Sequence, residues 1–130
     1  MEPAATKHAI AKDYLATAHE LADIARTAIL PYFRKTLKVT NKEASGFDPV
    51  TAADKAAERA MRKEIARRHP GHAILGEEYA ALENDGSLKW VLDPIDGTRA
   101  FIMGYPLWGV LIGLMDGPET ILGMMDQPFT

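Results

Sequence analysis

The sequence predicts an α+β chain, a layered α/β sandwich in which two N-terminal helices pack on a mostly antiparallel sheet. Three observations carry that prediction. Apolar residues recur at intervals of three and four through the first quarter of the chain, an alanine-lined stripe of the same period follows, and beyond position 72 short apolar runs alternate with turns rich in Gly, Pro and Asp.

Taken in order, Ile10, Tyr14, Ala18, Leu21, Ala25, Ala28 and Tyr32 mark one face of a long amphipathic helix from about Ala5 to Arg34. Pro31 is expected to kink its last turn or end it early, because the ring removes a donor and crowds the preceding turn. A polar loop from about Thr36 to Pro49 follows. Ala53, Ala57, Ala60, Met61 and Ile65 then define the inner face of a second helix that ends near His69-Pro70-Gly71. Small alanines on both helices allow close packing. Strands are expected at His72 to Leu75, Lys89 to Leu92, Leu107 to Leu114 and Thr120 to Met125, the last two joined by the turn-type Asp116-Gly117-Pro118-Glu119.

A chain of 130 residues with 47% hydrophobic content can bury one core, so residues 1–130 are expected to form a single domain. The formal charge of −3 gives no basic footprint for nucleic acid, and Arg62-Lys63 and Arg67-Arg68 are interleaved with helix residues as on a solvated face. Glu58 and Glu64 read as ordinary solvated helix residues for the same reason. The absence of Cys excludes a disulfide scaffold, thiolate zinc sites and cysteine nucleophiles, and agrees with a cytoplasmic setting. No signal peptide is expected from Met1 to Lys7, which lacks both a basic start and an apolar run. The uncharged stretch from Phe101 to Met115 is too short for a membrane span and is broken by Gly104, Pro106, Gly109 and Gly113, so a buried strand with flanking turns is expected there. His8, His19, His69 and His72 are scattered and lack zinc-type spacing.

The most informative segment runs Trp90-Val-Leu-Asp-Pro-Ile-Asp-Gly-Thr-Arg-Ala-Phe101, with two carboxylates three residues apart at the end of an apolar strand. Asp93 and Asp96 in such a turn, with main-chain oxygens beside them, outline a site for a hard cation such as Mg²⁺ or Mn²⁺. A plain surface turn accounts for the same residues locally. Acidic residues also occur in two upstream turns, Phe47-Asp48-Pro49-Val50-Thr51-Ala52-Ala53-Asp54 and Leu75-Gly76-Glu77-Glu78. Asp54 has a local explanation too: with Thr51 as N-cap and Asp54 three residues on, the pair is close to a capping box. Gly97 and Thr98 are expected to open a short helix through Ala100 to Met103, its N–H groups directed at a bound anion.

In their order and separation, Asp48-Pro-Val-Thr-Ala-Ala-Asp54, Gly76-Glu77-Glu78 and Asp93-Pro-Ile-Asp-Gly-Thr98 resemble the signature set of the inositol monophosphatase family of Mg²⁺-dependent phosphatases. The resemblance runs from about Lys38 to the end of the chain. It implies that Glu77, Asp93, Asp96 and the main-chain carbonyl of Ile95 are metal ligands. It also implies that Asp96, Gly97 and Thr98 bind substrate phosphate, that Thr98 with Glu77 activates the attacking water, and that Asp54 supports Thr98 or a further ion. Lys42 is the nearest match to a family Lys upstream. Two or three Mg²⁺ per complete site are implied, with Mn²⁺ as a substitute, and two ions about 4 Å apart meet the needs of phosphate monoester hydrolysis. The partner implied is a small phosphorylated metabolite, with no nucleic acid and no membrane, and the family allows a homodimer.

Thr98 to Gly109 and Gly123-Met124-Met125-Asp126-Gln127-Pro128 are more similar to the histidinol-phosphate phosphatase branch than to the branch acting on inositol phosphates. Tyr105 and Trp108 suit either an aromatic pocket for an imidazole-bearing substrate or plain packing. The chain stops at Thr130, where the family continues for about as long again. It is therefore expected to be the N-terminal portion of a longer enzyme, with its last strand left in mid-course as an open apolar edge. Alone, it is expected to bind metal poorly and to turn over slowly or not at all. A non-catalytic metal- or anion-binding half-domain is the alternative from another class.

Overall fold

A computed structural model describes residues 3–34, 49–84 and 86–130. Helix α1 runs Pro3–Ile29 and tightens into a 3-10 turn at Leu30–Tyr32, with Pro31 inside it. The proline therefore ends the α-helix early, one of the two outcomes its ring permits. The expected polar loop, with Lys38, Lys42, Phe47 and Asp48, lies outside the described residues.

Helix α2 spans Pro49–Arg68. Its first residue is a proline, a favoured start because the missing N–H has no intrahelical partner there. Thr51 consequently stands inside the first turn, which corrects its expected place as N-cap. Asp54 lies beyond that turn, so capping does not account for it. Ala18, Leu21, Ala25 and Ile29 of α1 meet Ala53, Ala57, Met61 and Ile65 of α2 in one fully buried cluster.

The sheet has the order β1-β2-β3-β4, with β1 Ala73–Leu75, β2 Leu88–Asp96, β3 Gly109–Asp116 and β4 Glu119–Asp126. β1 pairs parallel to β2, and the remaining pairs are antiparallel. β2 is longer than its apolar run foretold, and β3 begins two residues later than expected because Leu107 stays exposed in the preceding loop. The hairpin between β3 and β4 turns at Gly117, whose φ is 62°. β4 ends at Asp126 and the chain turns at Gln127–Thr130, which corrects the expectation of a strand cut in mid-course. Arg26 of α1 meets Asp126 through two 3.0 Å contacts, tying the first helix to the end of the last strand.

Both helices cover one face of the sheet, on Trp90, Leu92, Val110, Ile112 and Leu114. Among the described residues no helix is long and apolar enough to cross a membrane. Phe101 to Met115 instead makes a helical turn, a loop and most of β3.

Trp90 anchors a polar aromatic cluster where α2 meets β1. Its indole N–H donates to His72 Nδ1 at 3.0 Å, and the His72 ring stacks on His69 with centroids 4.6 Å apart. His69 Nε2 lies 2.8 Å from the Thr17 hydroxyl, and Tyr14 stands edge-on to both imidazoles. Both imidazoles titrate below their ordinary value, chiefly through burial; Arg68 adds to this at His69 and His69 adds to it at His72, while Asp13 opposes it at both. The unfolded chain therefore binds protons at a higher pH than the folded one. The stabilisation is complete above about pH 6.5 and is lost as pH falls through the folded values. Thermal unfolding between pH 7.5 and pH 5 should show Tm falling with acidity, with a smaller fall in Trp90→Phe, which leaves no indole donor facing a protonated His72.

Candidate metal and phosphate site

Asp93 and Asp96 lie at the C-terminal end of β2, and an interruption of its register brings them to one side. Asp93 pairs with Leu111 and Asp96 with Gly109, with a shift between them. In an unbroken strand, residues three apart point to opposite faces. Here Trp90, Leu92 and Pro94 are buried in alternation, Ile95 is buried as well, and Asp96 is exposed. The extra residue resets the alternation, as β-bulges do. Pro94 sits where no ladder donor is needed, the position a strand proline tolerates.

The chain then turns at Gly97, whose φ of 93° is a left-handed value. A Cβ there would lie 2.8 Å from the Leu107 carbonyl oxygen, so glycine is required both by conformation and by space. Helix α3, Thr98–Met103, follows. It closes on Gly104, with N–H groups of Gly104 and Tyr105 returning to the carbonyls of Phe101 and Ala100. Phe101 and Trp108 seat this helix against Phe33, with ring centroids 5.0 to 5.2 Å apart. Trp108, 2% exposed, is thus a packing residue, while Tyr105 is 54% exposed.

The Gly76-Glu77-Glu78 segment follows β1. Main-chain bonds between Ile74 and Leu82, 2.8 and 2.9 Å, close the mouth of this loop. Its interior is filled by Glu58 of α2, which corrects the reading of that residue as solvated. Glu58 is 0% exposed. One carboxylate oxygen accepts from the N–H groups of Glu77 and Glu78 at 2.8 and 2.9 Å, and the other from the N–H of Tyr79 at 3.2 Å and Arg62 Nε at 2.9 Å. A buried carboxylate is tolerable only when its lone pairs are met in this way. The signal in the sequence was its spacing: Asp54, Glu58, Met61 and Ile65 fall on one helical stripe, and Glu58 is the polar residue flanked by buried ones. Glu64, by contrast, pairs at the surface with Arg67 and Arg68.

Asp54, one turn before Glu58, is half-buried and faces the other acidic residues. Burial first, then the charges of Glu78, Asp93, Glu77 and Glu58, push its carboxyl up to about 7. Asp93 is likewise held above the ordinary carboxylate range, by burial and then by Glu77 and Asp96, with the Ile95 main chain pulling the other way. Glu77, Asp96, Gly97 and Thr98 are exposed and Ile95 is buried. Acidic side chains from three separate segments thus share one electrostatic environment. Among the described residues no three are close enough as placed to enclose a single ion. The donor chemistry, all carboxylate and carbonyl oxygen, fits a hard divalent cation.

The sign of the Asp54 shift makes a prediction. A carboxyl whose folded value lies above its unfolded 3.8 leaves the fold unpenalised below about pH 4 and costs stability as pH rises through about 7. In chelator, Asp54→Asn should melt above the parent at pH 8, and the gain should vanish below pH 4.

Residues 11–130 match the inositol monophosphatase family, and the chain belongs to that family. It is 44% identical over 117 residues to the chloroplastic bifunctional phosphatase IMPL2 of Arabidopsis thaliana, covering 88% of this chain and 33% of that protein. It is 39% identical over 121 residues to a histidinol-phosphatase of Streptomyces coelicolor, covering 89% of this chain and 44% of that one. A solved structure of an inositol monophosphatase from Zymomonas mobilis superposes with a TM-score of 0.73 at 41% identity, over 90% of this chain and 44% of the other. The chain spans a third to under half the length of these relatives.

Proposed function

We propose that this chain forms the metal- and phosphate-binding portion of a Mg²⁺-dependent phosphate monoester hydrolase whose substrate is histidinol phosphate. The observation that carries the reading is the meeting of Asp54, Glu77 and Asp93 in one electrostatic environment, with Asp96 brought to the side of Asp93 by the bulge. Like charges held together in this way repel, and a divalent cation relieves the repulsion. Glu77, Asp93, Asp96 and the Ile95 carbonyl are the residues that would hold it. Bound Mg²⁺ supplies neutralisation of phosphoryl oxygens and a more acidic attacking water. The chain's own contribution is positional: Asp96 and the N–H groups that open α3 at Gly97 and Thr98 receive the phosphate, and Glu77 with Thr98 orients the water and takes its proton. Asp54 supports the Thr98 hydroxyl or a further ion.

Histidinol phosphate is favoured by the S. coelicolor relative, and inositol 1-phosphate, the second reading, by the Z. mobilis structure. A non-catalytic half-domain that binds metal or anion is the reading from another class, and it differs from the enzyme in binding Mg²⁺ without releasing phosphate. Action in the cytoplasm and assembly as a homodimer belong to the enzyme reading and rest on the absence of Cys and on family membership.

Phosphate release should be measured from both substrates, with Mg²⁺ and with chelator. The proteins are this chain and a hybrid in which it replaces the matching segment of the S. coelicolor relative. Mg²⁺-dependent release that is faster from histidinol phosphate is the expected result. Equal rates in chelator would defeat the metal mechanism, and Mg²⁺ binding without release by a folded hybrid would favour the half-domain.

A further inference from the structure

We propose that Glu58 is a positioning residue for Glu77, an inference that rests on the reading of Glu77 as a metal ligand. The loop between Leu75 and Leu82 has two fixings: the Ile74–Leu82 main-chain bonds at its mouth and the Glu58 carboxylate inside it. The second fixing acts on the N–H of Glu77 itself and on the two N–H groups that follow, so it sets where the Glu77 side chain leaves the loop. Gly76 completes the arrangement, because a Cβ at that position would overlap the Glu58 carboxylate. Arg62 braces it from behind, giving its Nε to Glu58 and its terminal nitrogen to the Tyr79 carbonyl at 3.0 Å. Asp54 and Glu58 stand one turn apart on α2 and divide the work. Asp54 faces Glu77, Glu78 and Asp93 through space, whereas Glu58 spends its lone pairs on the loop's main chain. The acidic set is therefore built in two layers, and the inner one holds an outer member in place.

The test uses Glu58→Gln in the full chain. Either orientation of the amide sets an NH₂ group against two donors, at a small change in shape. Amide hydrogen exchange at Glu77, Glu78 and Tyr79 should accelerate. Mn²⁺-induced broadening of the Asp93 and Asp96 amide resonances should require about tenfold or more metal, the range in which supporting partners of metal ligands act. Met61→Ala, which opens the fully buried core on the same helix, is the control for instability alone and should leave the Mn²⁺ titration unmoved. Unchanged exchange in Glu58→Gln overturns the inference. So does faster exchange with unchanged Mn²⁺ response when Glu77→Gln has lost it, or an equal loss of response in Met61→Ala. Where the chain alone shows no broadening the titration is read in the hybrid that carries it, and no broadening there, or full broadening in Glu77→Gln, overturns instead the reading of Glu77 as ligand, with the exchange result still reporting on the loop. Should Glu58→Gln lose its helical circular dichroism, Gly76→Ala takes its place, since it displaces the carboxylate without removing it. Loss of fold in both overturns positioning in favour of a purely structural role.

Discussion

Trp90→Ala is expected to cost about 3–5 kcal/mol, the range for deleting a large buried aromatic. Against the 5–15 kcal/mol of an ordinary domain, that is a large share of the stability. The indole is fully buried, on β2 beneath both helices. Its removal opens a cavity lined by α1, α2 and β3, and it strips His72 Nδ1 of its donor. Urea unfolding would report the loss as a lower midpoint. Trp90→Phe separates the two contributions: it keeps most of the ring contacts with Tyr14, His69 and His72 and loses the hydrogen bond, for about 1 kcal/mol. A cost for Trp90→Ala no larger than that for Trp90→Phe would mean that the core closes over the gap and that packing at this position matters little.

Trp90 also shows what kind of structure can be read from a sequence. Its strand, with Leu92, and the strand of Ile112 and Leu114 are legible as short apolar runs between turns, and the two-residue alternation of any strand then decides which members face the helices. The inner faces of α1 and α2 follow from period 3.6, and Pro31 ends α1 through its own ring. Each of these is a property of a few consecutive residues. The bulge is not, because it exists only in the pairing of Asp96 with Gly109 and Asp93 with Leu111, and no residue of β2 announces its partner. Glu58 is harder still. Its acceptors meet main-chain N–H groups 19 to 21 residues further on, and any residue other than proline supplies an N–H, so the receiving segment bears no mark. Charge alone argued for solvent, and the cost of burial was offset by groups that composition does not reveal. The candidate site was legible as a list of residues; its arrangement depends on these two non-local features.

Glu77→Gln in the hybrid should lower Mg²⁺-dependent phosphate release by about 10²–10⁴-fold, the usual range for loss of a general base, while stabilising the same protein in chelator. The two effects have one cause. The Glu77 charge helps to push both the Asp54 and Asp93 carboxyls up, so the fold carries mutual repulsion, which a shared cation would relieve. Glutamine keeps the shape and the main-chain N–H that Glu58 receives, so the loop should stay where it is. It removes the charge, and Asp54 should then give up its proton at a lower pH. Above pH 7 in chelator the variant should therefore melt higher than the parent, with the difference narrowing as the pH falls toward 4. A stability penalty from Glu77→Gln would point to a structural role for this side chain. An undiminished Mg²⁺-dependent rate would sink the water-activating assignment, whatever the melting curves showed. Loss of turnover together with a gain in stability is the signature of a residue kept for what it does to a ligand and not for what it does for the fold.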